Sequence, residues 1–218
     1  MEGWEERPER LNELCELIAD CEHKTAPTQE SGTPSIRTPN IGKGELILDG
    51  GKRVSDDTYE AWTRRAEPQA GDLILAREAP AGNVAVIPKD TRVCLGQRTV
   101  LIRPKRDVID PFFLAYLLLE PTTQLRLQGH ATGATVQHIN LKDIRNFRVG
   151  SIPDLALQNQ IASQARKAFG VSNQVIDVIQ QKIATLTELK QSILQKAFTG
   201  ELTADSGATD RTLAEAGE

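Results

Sequence analysis

The hydrophobic and polar positions along the first 150 residues change period several times, and each change marks an element. Leu11, Leu14, Cys15, Leu17 and Ile18 recur at helical spacing, which predicts a short amphipathic helix ending near Asp20. Residues 24–40 are polar and broken by Pro27, Gly32, Pro34 and Pro39, the signature of an extended loop. Gly42, Gly44, Gly50 and Gly51 then punctuate a hairpin around Glu45-Leu46-Ile47-Leu48. The apolar runs at 71–77 and 83–88 read as two strands joined by a turn over residues 78–82, and residues 99–103 read as a third. Asp110 and Pro111 supply an N-cap and first residue for a helix carrying Phe112, Phe113, Leu114, Tyr116, Leu117 and Leu118. Residues 1–152 therefore predict one mixed α and β domain, so the fold class is α+β.

From Asp154 to about Phe198 the chain has no proline and a single glycine, Gly170. Eight of ten positions at a 4-3 spacing are apolar, the series being Ile161, Ala165, Ala168, Ser172, Val175, Ile179, Lys182, Leu186, Leu189 and Ile193. A continuous helix of about 45 residues within 153–200 would be a rod of roughly 67 Å, too long for a domain whose radius of gyration is about 15 Å. It is expected to project and to cover the seam Val175, Ile179, Leu186, Leu189 and Ile193 with a partner helix. The alternative is two shorter helices broken at Gly170 and folded back on the domain. Residues 201–218 are polar and acidic, which predicts a disordered tail.

Composition narrows the class. Of 218 residues, 39% are hydrophobic but only 4% aromatic, so the core must be aliphatic. No apolar run is long enough to span a membrane, and the acidic N-terminus lacks a signal-peptide segment, so a cytoplasmic protein is expected. Cys15, Cys21 and Cys94 have no paired spacing and are read as buried or free thiols; neither a metal site nor a cofactor is predicted. The formal charge of −4 is unevenly spread: residues 1–20 carry −5 and residues 201–218 carry −4, leaving +5 on the 180 between. The most basic stretch, residues 91–106, holds Arg92, Arg98, Arg103, Lys105 and Arg106 without an acid, and residues 121–153 are also basic. On charge alone these are equally well ordinary solvated faces.

Catalytic patterns fail on inspection. Asp110-Pro111-Phe112-Phe113 imitates a base-methyltransferase motif but lacks its second proline and a preceding glycine loop, and reads as a helix cap. Asp177 with Glu188-Leu189-Lys190 falls on the long helix, where nuclease carboxylates do not belong. Gly42-Lys43-Gly44 is no phosphate loop, since Arg37 replaces the required glycine. The turns instead supply guanidinium, amide and hydroxyl groups: Arg37, Thr38, Asn40, Lys43, Arg53, Arg77, Gln97, Arg98, Thr132, Thr135, Gln137 and His138. Arginine to guanine and Gln or Asn to adenine are the bidentate pairings that read base edges, while Lys and hydroxyls mostly hold phosphates. The predicted chemistry is that of recognition, of a kind that suits the base edges and phosphates of double-stranded DNA, and no catalytic site is found.

The ordered set Leu11-Asn12-Glu13-Leu14-Cys15, Gly32-Thr33-Pro34-Ser35-Ile36-Arg37, Gly71-Asp72-Leu73-Ile74-Leu75-Ala76-Arg77 and Gly82-Asn83-Val84-Ala85 resembles the target-recognition domain of type I restriction-modification specificity subunits. Leu95-Gly96-Gln97-Arg98, Gly133-Ala134-Thr135-Val136-Gln137-His138-Ile139 and Ile152-Pro153-Asp154-Leu155-Ala156-Leu157-Gln158 are similar to that family's closing strand, recognition turn and approach to its spacer helix. Residues 189–202 resemble the end of that helix, so the likeness covers nearly all of residues 11–202. Asp154, Leu157 and Gln160 depart from it, standing where proline, Glu and Arg are common. The resemblance implies a recognition domain with a curved sheet and a non-catalytic DNA reader that directs separate modification (methyltransferase) and restriction subunits to a bipartite site. With one recognition domain and one helix, the chain has about half the usual content. The resemblance then implies pairing, as an antiparallel coiled coil, with a second copy or a different half-subunit. The competing expectation is an anti-restriction module that captures modification subunits without directing methylation.

Overall fold

A computed structural model of the chain describes residues 9–78, 80–131 and 138–204. They divide by internal contacts into two units, the first reaching Ala165 and the second starting at Arg166. Elements are numbered in chain order. The strands are β1 (Glu9–Arg10), β2 (Cys15–Asp20), β3 (Thr33–Ile36), β4 (Arg53–Val54), β5 (Leu73–Ala76), β6 (Val84–Val86), β7 (Cys94–Leu95), β8 (Thr99–Pro104) and β9 (Arg148–Gly150). The α-helices are α1 (Asp56–Trp62), α2 (Pro111–Leu119), α3 (Pro121–Gln128), α4 (Leu141–Asn146), α5 (Leu155–Phe198) and the single turn α6 (Glu201–Ala204).

The centre of the first unit is an antiparallel sheet in the order β2-β8-β5-β6. Its strands read as unbroken apolar runs because both faces are covered. Leu73, Leu75, Val84, Val86, Val100 and Ile102 face one core with Phe113, Leu114 and Leu118 of α2. The alternate residues Ile74, Ala76, Ala85, Ile87 and Leu101 face a second core with Ile36, Ile41 and Leu95. A smaller sheet, β4-β3-β7, contains the one parallel pairing among the described strands, β3 with β7.

Three expected elements are confirmed as β5, β6 and β8. The helix at 110–118 is confirmed as α2, with the Asp110 carboxylate accepting from the Phe113 N–H at 2.8 Å. The helix expected over residues 11–20 is instead a turn followed by β2. A bulge between Cys15 and Leu17 shifts the register against β8, so Cys15 and Ile18, three residues apart, both enter the first core with Leu11 and Leu14. That spacing imitates a helix. The predicted extended segment 24–40 contains β3 and a 3-10 turn at Thr38–Asn40, and the hairpin near residue 46 reduces to one bridge between Ile41 and Leu46.

All three cysteines are buried free thiols, and desolvation pushes Cys15 up to about 12 and Cys94 to about 11. Among the described residues no helix is long and apolar enough to cross a membrane, and no three His, Cys, Asp or Glu side chains group to hold a metal ion.

Helix α5 runs unbroken through Gly170. Its first turns are anchored in the first unit by Gln158, which is 1% exposed. The Gln158 amide donates to the carbonyls of Val108 and Pro153 at 3.1 and 2.8 Å, and its carbonyl accepts from the Asp110 N–H at 2.9 Å. Gln158→Leu leaves these three backbone groups without that partner and is expected to lower unfolding stability by about 2–4 kcal/mol, measurable by urea denaturation. From Arg166 to Leu202 every residue is exposed.

Candidate nucleic-acid interface

Strand polarity gathers the chemistry at one end of the domain. Because β3 and β7 are parallel, the residues that follow them, Arg37 and Gly96-Gln97-Arg98, emerge side by side. Both β2 and β5 pair antiparallel with β8, so both finish where β8 starts. The Arg77 N–H donates to the Arg98 carbonyl at 2.8 Å, and the Cys21 N–H to that of Thr99 at 3.3 Å. Four strand ends thus meet the beginning of a fifth.

Two adjoining clefts open there. One, of about 280 Å³, is lined by His23, Arg77, Glu78, Gln97 and Arg98. The other, of about 310 Å³, is lined by Arg37, Thr38, Pro39, Gln97 and Arg98. Gln97 and Arg98 form the wall between them. The approach of β7 to β3 depends on Gly96, whose N–H donates to the Ile36 carbonyl at 2.7 Å. A Cβ on Gly96 would lie 2.6 Å from Cγ of Arg37 and 2.7 Å from that same carbonyl oxygen. Gly96→Val is therefore expected to cost about 1–3 kcal/mol through overpacking and to weaken duplex binding further by parting Arg37 from Gln97 and Arg98. Thermal melting and fluorescence anisotropy on one preparation separate the two effects.

The predicted site residues divide by what their polar groups already do. Arg77 is framework: its side chain is only 13% exposed, donates to both Asp20 oxygens at 2.8 and 2.9 Å, and reaches the Ile139 carbonyl at 2.9 Å. Asn40 is framework too, its amide oxygen accepting from the Arg37 N–H at 3.1 Å and its nitrogen donating to the Ile47 carbonyl at 3.0 Å. Thr38 is buried beside it. Arg53 donates to the Gly32 carbonyl at 2.8 Å; neither it nor exposed Lys43 lines the clefts.

Arg37 is different. It is partly buried, and its Nε has no hydrogen-bond partner although water cannot reach it. Gln97 is held at the rim, its amide donating to the His23 carbonyl at 3.1 Å and accepting from Thr25 Oγ1 at 3.2 Å. Arg98 is 54% exposed and ion-paired with Glu78 at 3.0 Å. His138 forms a bridge with Glu78 at the margin of the first cleft. Thr132, Thr135 and Gln137 lie outside the described residues.

The basic run expected from charge does not form a free patch. Arg92 pairs with Asp56 and lies 3.7 Å above the Tyr59 ring, Arg103 pairs with buried Asp72, and Lys105 and Arg106 donate to the carbonyls of Glu13 and Ala70. His23 and Glu78 line the first cleft and Asp20 holds its Arg77, and all three were missed by sequence reasoning. Reading residues 15–20 as a strand would have placed Asp20 and His23 in the turn at its end, and Glu78 directly follows Arg77 in a turn already identified.

Along α5 the expected seam is exposed: Val175, Ile179, Leu186, Leu189 and Ile193 are 48–64% accessible. Ile176 and Ile183 are equally exposed, at 47% and 58%, and widen the stripe where the 4-3 spacing placed Lys182.

Comparison with known proteins gives a consistent result. Residues 1–190 match the family model described as "Type I restriction modification DNA specificity domain". The chain is 27% identical over 175 residues to the type I restriction enzyme EcoBI specificity subunit of Escherichia coli, covering 80% of this chain and 36% of that protein. It is 25% identical over 203 residues to the putative type I restriction enzyme MjaX specificity subunit of Methanocaldococcus jannaschii, covering 91% and 46%. Among solved structures, a chain of a type I R-M system studied for its complex assembly superposes with a TM-score of 0.62 at 24% identity, covering 91% of this chain and 46% of that one. The HsdS subunit from Thermoanaerobacter tengcongensis gives 0.52 at 22% identity, covering 92% and 46%. These two show likeness of fold. The chain spans less than half the length of each of these relatives.

Proposed function

The chain belongs to the type I restriction-modification DNA specificity family, and from that premise we propose that it is a non-catalytic half-length specificity subunit acting in the cytoplasm. Its recognition domain spans residues 1–152, and residues 153–200 form the spacer and pairing helix. The observation that carries this reading is the convergence of Arg37, Gln97 and Arg98 from two parallel strand exits onto adjoining clefts. Guanidinium and amide groups at one rim suit base edges in a major groove. Lys43, Arg53 and His138, with Thr132, Thr135 and Gln137, are assigned to the surrounding duplex contacts, chiefly phosphates.

One domain reads one half-site. The exposed stripe on α5 supports pairing with a second copy as an antiparallel coiled coil, since isolated apolar stripes of this length are costly in water. A twofold-symmetric pair would present two identical readers to an interrupted palindrome. Methyl transfer and cleavage belong to separate subunits.

The test is to tag the chain, purify it from its native host at moderate salt and identify its companions by mass spectrometry. A methyltransferase subunit should be recovered. Recovery of the chain alone, where such subunits are expressed, would contradict the proposal.

A further inference from the structure

Glu78 stands out at the candidate interface because a carboxylate beside a duplex is repelled by every phosphate. It lies 3.0 Å from Arg98, with its side chain 23% exposed against 54% for Arg98, so the acid is set back and the arginine is presented. Both are fixed from behind. Glu78 bridges His138 through its backbone, and the Arg98 carbonyl accepts from the Arg77 N–H at 2.8 Å. Arg98 also has φ of +69°, a left-handed conformation that a non-glycine residue rarely adopts, so its backbone carries strain at the rim of both clefts. A phosphate-binding arginine would gain nothing from a carboxylate that cancels its charge. A base-reading arginine would.

In the major groove a C·G pair shows two acceptors, guanine N7 and O6, directly beside a donor, the N4 amino group of cytosine. An arginine in contact with a carboxylate is the complementary pattern. Resting on the proposed DNA-reading role, we propose that Arg98 and Glu78 together read one C·G base pair, the guanidinium donating to N7 and O6 of guanine and the carboxylate accepting from N4 of its cytosine. A T·A pair in its place would set the O4 acceptor of thymine against the carboxylate and the N6 donor of adenine against the guanidinium, so both side chains would reject it.

The experiment is selection from a randomised duplex library by the chain purified with whatever subunits it retains, comparing the wild type with R98A, R98K and E78A. Wild type should select a motif with an invariant C·G column. R98A should lower discrimination at that column by about tenfold or more, and R98K should retain the guanine preference, since lysine also reaches O6 and N7. On the selected duplex, an analogue of that cytosine lacking the 4-amino group should weaken wild-type binding by about fivefold or more and leave binding by E78A unchanged, because only Glu78 accepts from that amino group. A glutamate that merely positions Arg98 would leave the wild type indifferent to the analogue. Uniform weakening by R98A with every column preserved, or wild-type binding unchanged by the analogue, would overturn the pairing. Failure of the wild type to select any motif would instead overturn the DNA-reading role itself.

Discussion

Replacing Leu186 and Ile193 together by aspartate is expected to halve the mass of the protein in solution while leaving each copy folded. These side chains are 64% and 48% exposed in the single chain. Their replacement therefore removes little that holds one copy folded. In a paired helix each would be buried, contributing about 1.5–3 kcal/mol, and a carboxylate in that position adds a desolvation penalty of several kcal/mol. Summed over two copies, the change exceeds what a modest interface supplies. Light scattering should fall from twice the 23.9 kDa chain mass to that mass. An unchanged mass would contradict the pairing helix.

The largest effect on stability is expected from Asp72→Ala. Asp72 is fully buried beside β5, where its two oxygens accept from Arg103 Nε and Nη2 at 2.9 and 2.8 Å, and one also accepts from the Gln69 N–H at 2.9 Å. Removing the acid leaves a largely buried guanidinium and a backbone N–H without it, a loss of about 3–5 kcal/mol, which is a large share of a typical domain's 5–15 kcal/mol. Arg103 keeps its bond to the Glu67 carbonyl, which limits the damage. Adding Arg103→Met to Asp72→Ala should recover part of the loss, because an apolar pair needs no ionic partner. Chemical denaturation of the single and double variants measures both. If the double variant is less stable than Asp72→Ala alone, the buried charge is not the source of the cost.

What the sequence made legible was decided by how local each signal is. The apolar runs of β5, β6 and β8 and the Asp110-Pro111 cap lie within a few residues, and they appear where expected. Residues 11–18 misled because a bulge in β2 puts buried side chains three apart, and nothing local distinguishes that from a helix turn. The candidate recognition loops were legible only as residue types, because what each side chain can do depends on partners far along the chain. Arg77 is committed to Asp20, 57 residues away, whereas Arg37 is left with an unpartnered Nε. The same applies to the basic run at 91–106, where carboxylates and carbonyls from the turn before β2, α1 and the segment before β5 take up the charge. Glu78 was passed over because an acid is not expected in a DNA-reading loop until its arginine is seen beside it.

Whether this chain chooses where a type I system acts is tested most directly by mapping methylated positions across the native host's genome with the chain present, deleted and restored. Methylation of one interrupted palindromic sequence should vanish on deletion, return with the wild-type chain and fail to return with the Leu186→Asp, Ile193→Asp variant. An unchanged methylation map on deletion, from a host in which the methyltransferase subunit co-purifies with the chain, would show that the chain captures that subunit without directing it.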